Sequence, residues 1–232
     1  MSAVRRELTR TQWLEAVGVD PFWIVDEAPV IQAAAPESAA PSAAKTTDGE
    51  TLDQRIRSCK NCGLARDRKQ AVPGSGDLQA DWLLVGEAPG AEEDRAGLPF
   101  VGQSGKLLDA MLAALGLNRD KGVYLTNAVK CRPEDNRTPQ TAEMDACNAF
   151  LAQQIAQIQP KVILALGRPA AYAVLGQEAS IQSLRGSIHY HQQGERQIPV
   201  VVTYHPAYLL REPTEKWKAW QDLVLAKKSL DV

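Results

Sequence analysis

The sequence predicts an α/β fold built on a parallel sheet with helices on both faces. Three observations carry that prediction. Four short runs, Trp82–Val85, Val123–Val129, Lys161–Gly167 and Ile198–Tyr204, are almost continuously apolar, as strands buried on both faces must be. Segments of helical period separate them, the alternation that generates parallel crossovers. Polar or glycine-rich residues follow each run: Gly86-Glu-Ala-Pro-Gly90, Asn127, Gly167-Arg168 and His205-Pro206. In such folds ligands gather outside the carboxyl ends of the strands, so one crevice lined by four loops is expected.

The elements follow in order. Residues 8–26 suit a short helix anchored by Trp13, Leu14, Val17 and Trp23. Residues 31–50 form an Ala/Pro/Ser-rich linker that cannot build a core. The folded domain is expected to span residues 51–232, with residues 1–30 a helical segment of unassigned role and a candidate docking site for a protein partner. Thr51–Arg57 reads as a helix leading into Cys59. Ser104–Leu115 places Leu107, Leu108, Met111, Leu112 and Leu115 on one helical face. Thr141–Ile158, Pro169–Leu175 and Thr214–Leu230 complete the helices.

Bulk properties narrow the class. Hydrophobic content of 44% and charged content of 23% over 232 residues are ordinary for a globular chain. No stretch approaches the ~18 apolar residues of a membrane span, and the start lacks a secretory layout. A cytoplasmic monomer is expected. Net charge of −2 gives no global sign of a polyanion partner. In a reducing compartment the four cysteines point to metal rather than disulfides. Cys59 and Cys62 form a C-x2-C pair, and Cys131 and Cys147 arrive singly from a loop and a helix. Four thiolates suit an iron–sulfur cluster or zinc. Arg55, Arg57, Lys60, Arg66, Arg68 and Lys69 crowd the pair, either as a solvated face or as a phosphate contact.

The crevice loops hold the other candidates. Gly86–Gly90 lets backbone approach a ligand, but no Gly-Lys-Ser/Thr follows, so it is not a P-loop. Phe100, between Pro99 and Gly102, is either a stacking surface or a core plug. Asn127 ends a strand, where its amide can pair with a heterocycle edge or cap the next loop. His205, alone among three histidines, has a strand-end position facing the crevice.

Gly-Glu87-Ala-Pro-Gly, Leu-Pro-Phe100-Val-Gly, Thr-Asn127-Ala-Val-Lys-Cys-Arg-Pro with Asn136-Arg137, and His205-Pro-Ala-Tyr-Leu-Leu-Arg211 occur here with the four-cysteine spacing. As a set over about residues 52–230 they resemble family 4 uracil-DNA glycosylases. The resemblance implies a three-layer α/β/α fold with a central four-stranded parallel sheet and a 4Fe-4S cluster on Cys59, Cys62, Cys131 and Cys147, zinc being the alternative. It also implies hydrolysis of the N-glycosidic bond of uracil in single- or double-stranded DNA, as base excision repair without lyase activity. A base must leave the stack for such chemistry.

In that reading Phe100 stacks on uracil, Asn127 pairs with its N3–H and O4, and His205 donates to O2. Glu87 and Asn136 place the water or steady the sugar cation. Gly86 and Ala88 line the base site, and Glu93 crowds the position of a thymine methyl. Leu209 and Leu210 wedge the duplex, with Arg211, Arg185 and Ser183 on the DNA backbone. The catalytic Asp of other branches has Ala88 at its place here, implying a dissociative path led by leaving-group stabilisation. The chain also lacks the inserted basic loop and histidine of a branch that bonds covalently to the abasic sugar. The alternatives, a non-catalytic nucleic-acid-binding iron–sulfur protein of the same fold and a zinc-stapled binding module, would need no complete base pocket.

Overall fold

The computed structural model describes residues 50–230. The helix expected over residues 8–26 and all but the last residue of the expected linker lie outside the described residues. Six strands form one sheet: β1 (Ser75–Gly76), β2 (Trp82–Gly86), β3 (Val123–Asn127), β4 (Val162–Leu166), β5 (Ile188–Gln193) and β6 (Arg196–Thr203), in the order β1-β3-β2-β4-β6-β5. The inner β3-β2-β4-β6 set is parallel throughout, and these are the four strands the apolar runs predict. The outer two extend this central four-stranded parallel sheet, because β1 and β5 add to the edges antiparallel. Neither carries the buried-strand signal. β1 is only Ser-Gly, and β5 reads Ile-His-Tyr-His-Gln-Gln with most residues half-buried or exposed.

Alternation along the inner strands sends side chains to two cores. Leu83, Val85, Ile163, Ala165, Val200 and Val202 meet Leu151 and Ile155 of α4 (Thr141–Ile158) and Ala170, Ala171 and Val174 of α5 (Arg168–Leu175). Trp82, Leu84, Leu125, Leu164 and Val201 meet Leu108 and Leu112 of α3 (Gln103–Ala114) and Leu223 and Ala226 of α8 (Lys216–Lys228). This is a three-layer α/β/α sandwich. Leu83, Leu84 and Leu164 are fully buried, so truncating any one of them to Ala would cost about 2–5 kcal/mol. No helix among the described residues is long and apolar enough to cross a membrane.

A third cluster lies beside the sandwich. Helix α1 (Leu52–Ser58) starts on a capping box in which Thr51 and Gln54 each satisfy the other's backbone N–H. Its Ile56 packs with Leu64, Val129, Met144, Cys131, Cys147 and Phe150. The remaining short helices are α2 (Ala91–Ala96), α6 (Ile181–Leu184) and α7 (Pro206–Arg211). Helix α8 starts two residues later than the sequence suggests, because Pro213–Glu215 forms a separate 3-10 turn.

Arg185 falls in the interior, which corrects its expected role on DNA. Its guanidinium donates to the Asp222 carboxylate from Nε at 3.0 Å and Nη2 at 2.9 Å, and it lies 4.9 Å from the centre of the Tyr204 ring. The Asp222 carboxylate also accepts the Gly186 N–H, and its side chain is fully buried. Burial pushes the Asp222 carboxyl up to about 6, with the Arg185 charge acting against that rise. Removing one partner leaves the other charge buried alone. Asp222→Ala is therefore expected to lower unfolding free energy by about 3–5 kcal/mol in urea titration, and a loss below about 1 kcal/mol would mean that the pair is solvated.

Candidate active site and cysteine cavity

The carboxyl ends of all four parallel strands open into one cavity of about 640 Å³. Glu87 follows β2, Asn127 ends β3, Gly167 follows β4, and Tyr204 and His205 follow β6; all line it. This is the crevice the loop composition predicts, at the point where the sheet order reverses around β2.

Its floor depends on a missing side chain. Register pairs Gly86 with Asn127. A Cβ at Gly86 would collide with the Asn127 Oδ1 and the Phe100 ring, so glycine lets both groups reach the same spot. Asn127 is only 2% exposed, and the ring of Phe100, also buried, lies 6.0 Å from that of His205 with 30° between the planes. Phe100 packs in the core beneath the sheet and also lines the cavity.

Phe100 stands at φ 53°, a left-handed conformation rare outside glycine. Two charged side chains hold its loop there. The Glu93 carboxylate accepts N–H bonds from Val101 and Gly102 at 2.9 Å each, and from Gly90 at 3.1 Å. The Arg119 guanidinium donates to the Pro99 carbonyl at 3.1 Å and to the Phe100 carbonyl at 2.5 Å. Gly105 supplies the room, because a Cβ there would run into the Phe100 carbonyl. Glu93 is therefore a rigid part of the wall and not a free carboxylate. Arg119 has no sequence signal, since the loop carbonyls it holds lie 19 and 20 residues away.

His205 caps α7, and its Nδ1 accepts the Ala207 N–H at 3.2 Å. The ring proton then belongs on Nε2, leaving that nitrogen as a donor. Burial lowers its pKa to about 4, Arg211 pushes it further down, and Glu93 opposes. Glu87 is half-buried, and burial raises its carboxyl above the usual range while a Thr138 hydrogen bond opposes. Asn136 lies on the rim at φ 55°, its Oδ1 accepting from Arg132 at 2.8 Å. Gly90 and Ala88 complete the wall beside Glu87.

The wedge pair divides. Leu209 is 1% exposed and packs with Tyr204 and Ala219, whereas Leu210 is 45% exposed; Leu209 is a core anchor, which corrects its expected place in the duplex. Arg211 and Arg168 line the mouth with exposed side chains. Ser183 lies outside the cavity lining and is occupied in α6, where its hydroxyl donates to the Ser180 carbonyl at 2.8 Å.

The four cysteines come together around a second, smaller cavity, lined also by Ile56, Ala65, Arg68, Lys130 and Phe150. Arg68 donates to the Cys131 sulfur at 2.7 Å and to the Cys59 and Arg57 carbonyls at 2.9 and 2.8 Å. It is thereby withdrawn from the candidate phosphate patch. Burial pushes the Cys131 thiol up to about 11 and raises that of Cys147, with Arg68 and Lys130 respectively acting against it.

A family profile described as "Uracil DNA glycosylase superfamily" matches residues 73–224. The chain is 41% identical over 182 residues to a type-4 uracil-DNA glycosylase of Pyrobaculum aerophilum, covering 77% of this chain and 92% of that one. Its identity to the type-4 enzyme of Sulfurisphaera tokodaii is 42% over 190 residues, covering 77% and 86%. For that of Thermotoga maritima it is 44% over 163 residues, covering 70% and 83%. The chain belongs to the type-4 uracil-DNA glycosylase family. The pocket residues from Glu87 to Arg211 lie within the stretch that the superfamily profile matches.

The electrostatics of this type-4 pocket give a pH expectation. The folded pKa of His205 lies below its ordinary value of 6.5, so the unfolded chain binds more protons between the two values. The stability held by the neutral ring is then lost as pH falls from about 6.5 towards about 4. By NMR the ring is expected to remain the Nε2–H tautomer through neutrality, and a midpoint near 6.5 would show that it is solvated.

Proposed function

We propose that this protein removes uracil from DNA by hydrolysing the N-glycosidic bond, leaving free uracil and an abasic site. The observation that carries this reading is the convergence of Phe100, Asn127 and a neutral His205 on one cavity. A planar base lying against Phe100 offers its polar edge to Asn127. The amide oxygen accepts uracil N3–H and the amide NH2 donates to O4. Cytosine inverts that pattern and leaves two buried groups unpaired, a mismatch that discriminates by orders of magnitude.

As the glycosidic bond lengthens, negative charge gathers on the departing base. The Nε2–H of His205 is a fixed donor for O2, and a neutral ring at pH 7 supplies it without the cost of burying an imidazolium. Glu87 would orient water or steady positive charge on the sugar, helped by Asn136, which lines the same cavity. Ala88 offers no base, so the leaving group carries most of the stabilisation. The fixed Glu93 carboxylate narrows the wall against a thymine methyl. Leu210 is the exposed apolar side chain suited to replace the flipped base in the stack, with Arg211 and Arg168 meeting phosphate. The reaction is hydrolytic, with no lyase step, and a monomer suffices for it.

The four cysteines are proposed to hold a 4Fe-4S cluster. All four line one cavity, Cys131 and Cys147 buried and Cys59 and Cys62 half-buried. Arg68 and Lys130 offset the negative charge of four thiolates. The cluster would serve as a clasp for the α1 and α4 segments, with no free position for substrate.

The test is incubation with a uracil-containing oligonucleotide, single- and double-stranded, followed by alkali. Strand scission is expected with wild type, and an intact strand would overturn the proposal. His205→Ala should lower the single-turnover rate by about 10²–10³ in a protein that still absorbs near 400 nm. A much larger loss for Glu87→Gln than for His205→Ala would instead assign most of the rate enhancement to base catalysis by Glu87.

A further inference from the structure

Lys130 joins the two cavities. Its side chain is 1% exposed, and it lines the cysteine cavity. Its Nζ donates to the main-chain carbonyl of Asn127 at 2.6 Å, to Thr126 Oγ1 at 2.7 Å and to Gln154 Oε1 at 2.7 Å. Three acceptors use all three N–H groups of an ammonium, whereas a neutral amine has only two to give.

All three acceptors are neutral oxygens. A buried cation without a countercharge is costly. Cys131 and Cys147 line the same cavity as Lys130, and their sulfurs are anionic when they ligate a cluster. One end of Asn127 faces the base cavity, and its carbonyl is held from behind by this lysine. Gln154 fixes the arrangement to α4, the helix that carries Cys147, and donates to the Pro73 carbonyl at 2.7 Å.

We infer that Lys130 is a positioning residue, held in place by the charge of the occupied four-cysteine site, that fixes Asn127 for reading the base. The inference rests on the uracil reading and the cluster proposed above. It makes the cysteine site more than a clasp for folding, because its charge retains the cation that sets the recognition amide.

Lys130→Met tests it, since the length is kept while the charge and all three donors go. The purified, iron-loaded variant is compared with wild type in cluster reduction potential and in uracil excision. Loss of a neighbouring cation should move the potential to a more negative value. The value of kcat should fall by about 10–100-fold, the usual cost of losing a supporting hydrogen-bond partner, with KM little changed. An iron-loaded variant with wild-type potential and kcat overturns the inference and leaves the uracil reading standing. A wild type that carries no iron or leaves uracil DNA intact overturns both. If Lys130→Met fails to fold, Gln154→Leu decides, because it removes one acceptor and keeps the charge. A kcat about tenfold lower with iron retained supports the role of Lys130, and a wild-type kcat overturns it.

Discussion

The fold and the pocket meet at Gly86. The parallel register sets it opposite Asn127, and the space a side chain would fill is shared by the Asn127 amide and the Phe100 ring. Any side chain at this point would separate the reading group from the stacking surface. The β2–β3 pairing therefore does two things: it closes the sheet and brings two residues of the crevice, far apart in the chain, to one spot. His205 reaches the same spot from β6, two strands away across β4.

Around this point the protein buries charge, and each buried charge is engaged. Glu93 takes three backbone N–H bonds, Lys130 gives three bonds to oxygens, and Asp222 meets Arg185 and the Gly186 amide. Each holds one wall of the pocket: Glu93 with Arg119 the Phe100 loop, Lys130 the end of β3, and Asp222 through Arg185 the Tyr204 ring before His205. Preorganised groups of this kind need no rearrangement when charge develops on the leaving base. The left-handed Phe100 is maintained by the same means, since strain at a site persists only where its surroundings over-determine it.

The inner strands were legible because burial on both faces writes itself as continuous apolar runs. The cysteine set and the strand-end Asn127 and His205 were legible because their chemistry lies in short local motifs. The edge strands were not, since β5 is polar along its exposed side and β1 is two residues long. Arg185 read as a DNA-backbone contact and Arg119 carried no signal, because the groups that hold them inward lie 37 and 19 residues distant. Leu209 and Leu210 look equivalent in sequence, yet successive residues on a helix point about 100° apart, and the turn at Pro206 sends the first into the core and the second into solvent.

The central claim is that Phe100, Asn127 and a neutral His205 form one receptor for a planar base. A crystal structure of the protein with free uracil tests it most directly. The ring is predicted to lie against Phe100, with N3–H on the Asn127 amide oxygen and O2 on the His205 Nε2. Uracil bound elsewhere, or bound in this pocket with O2 turned away from His205, would contradict it.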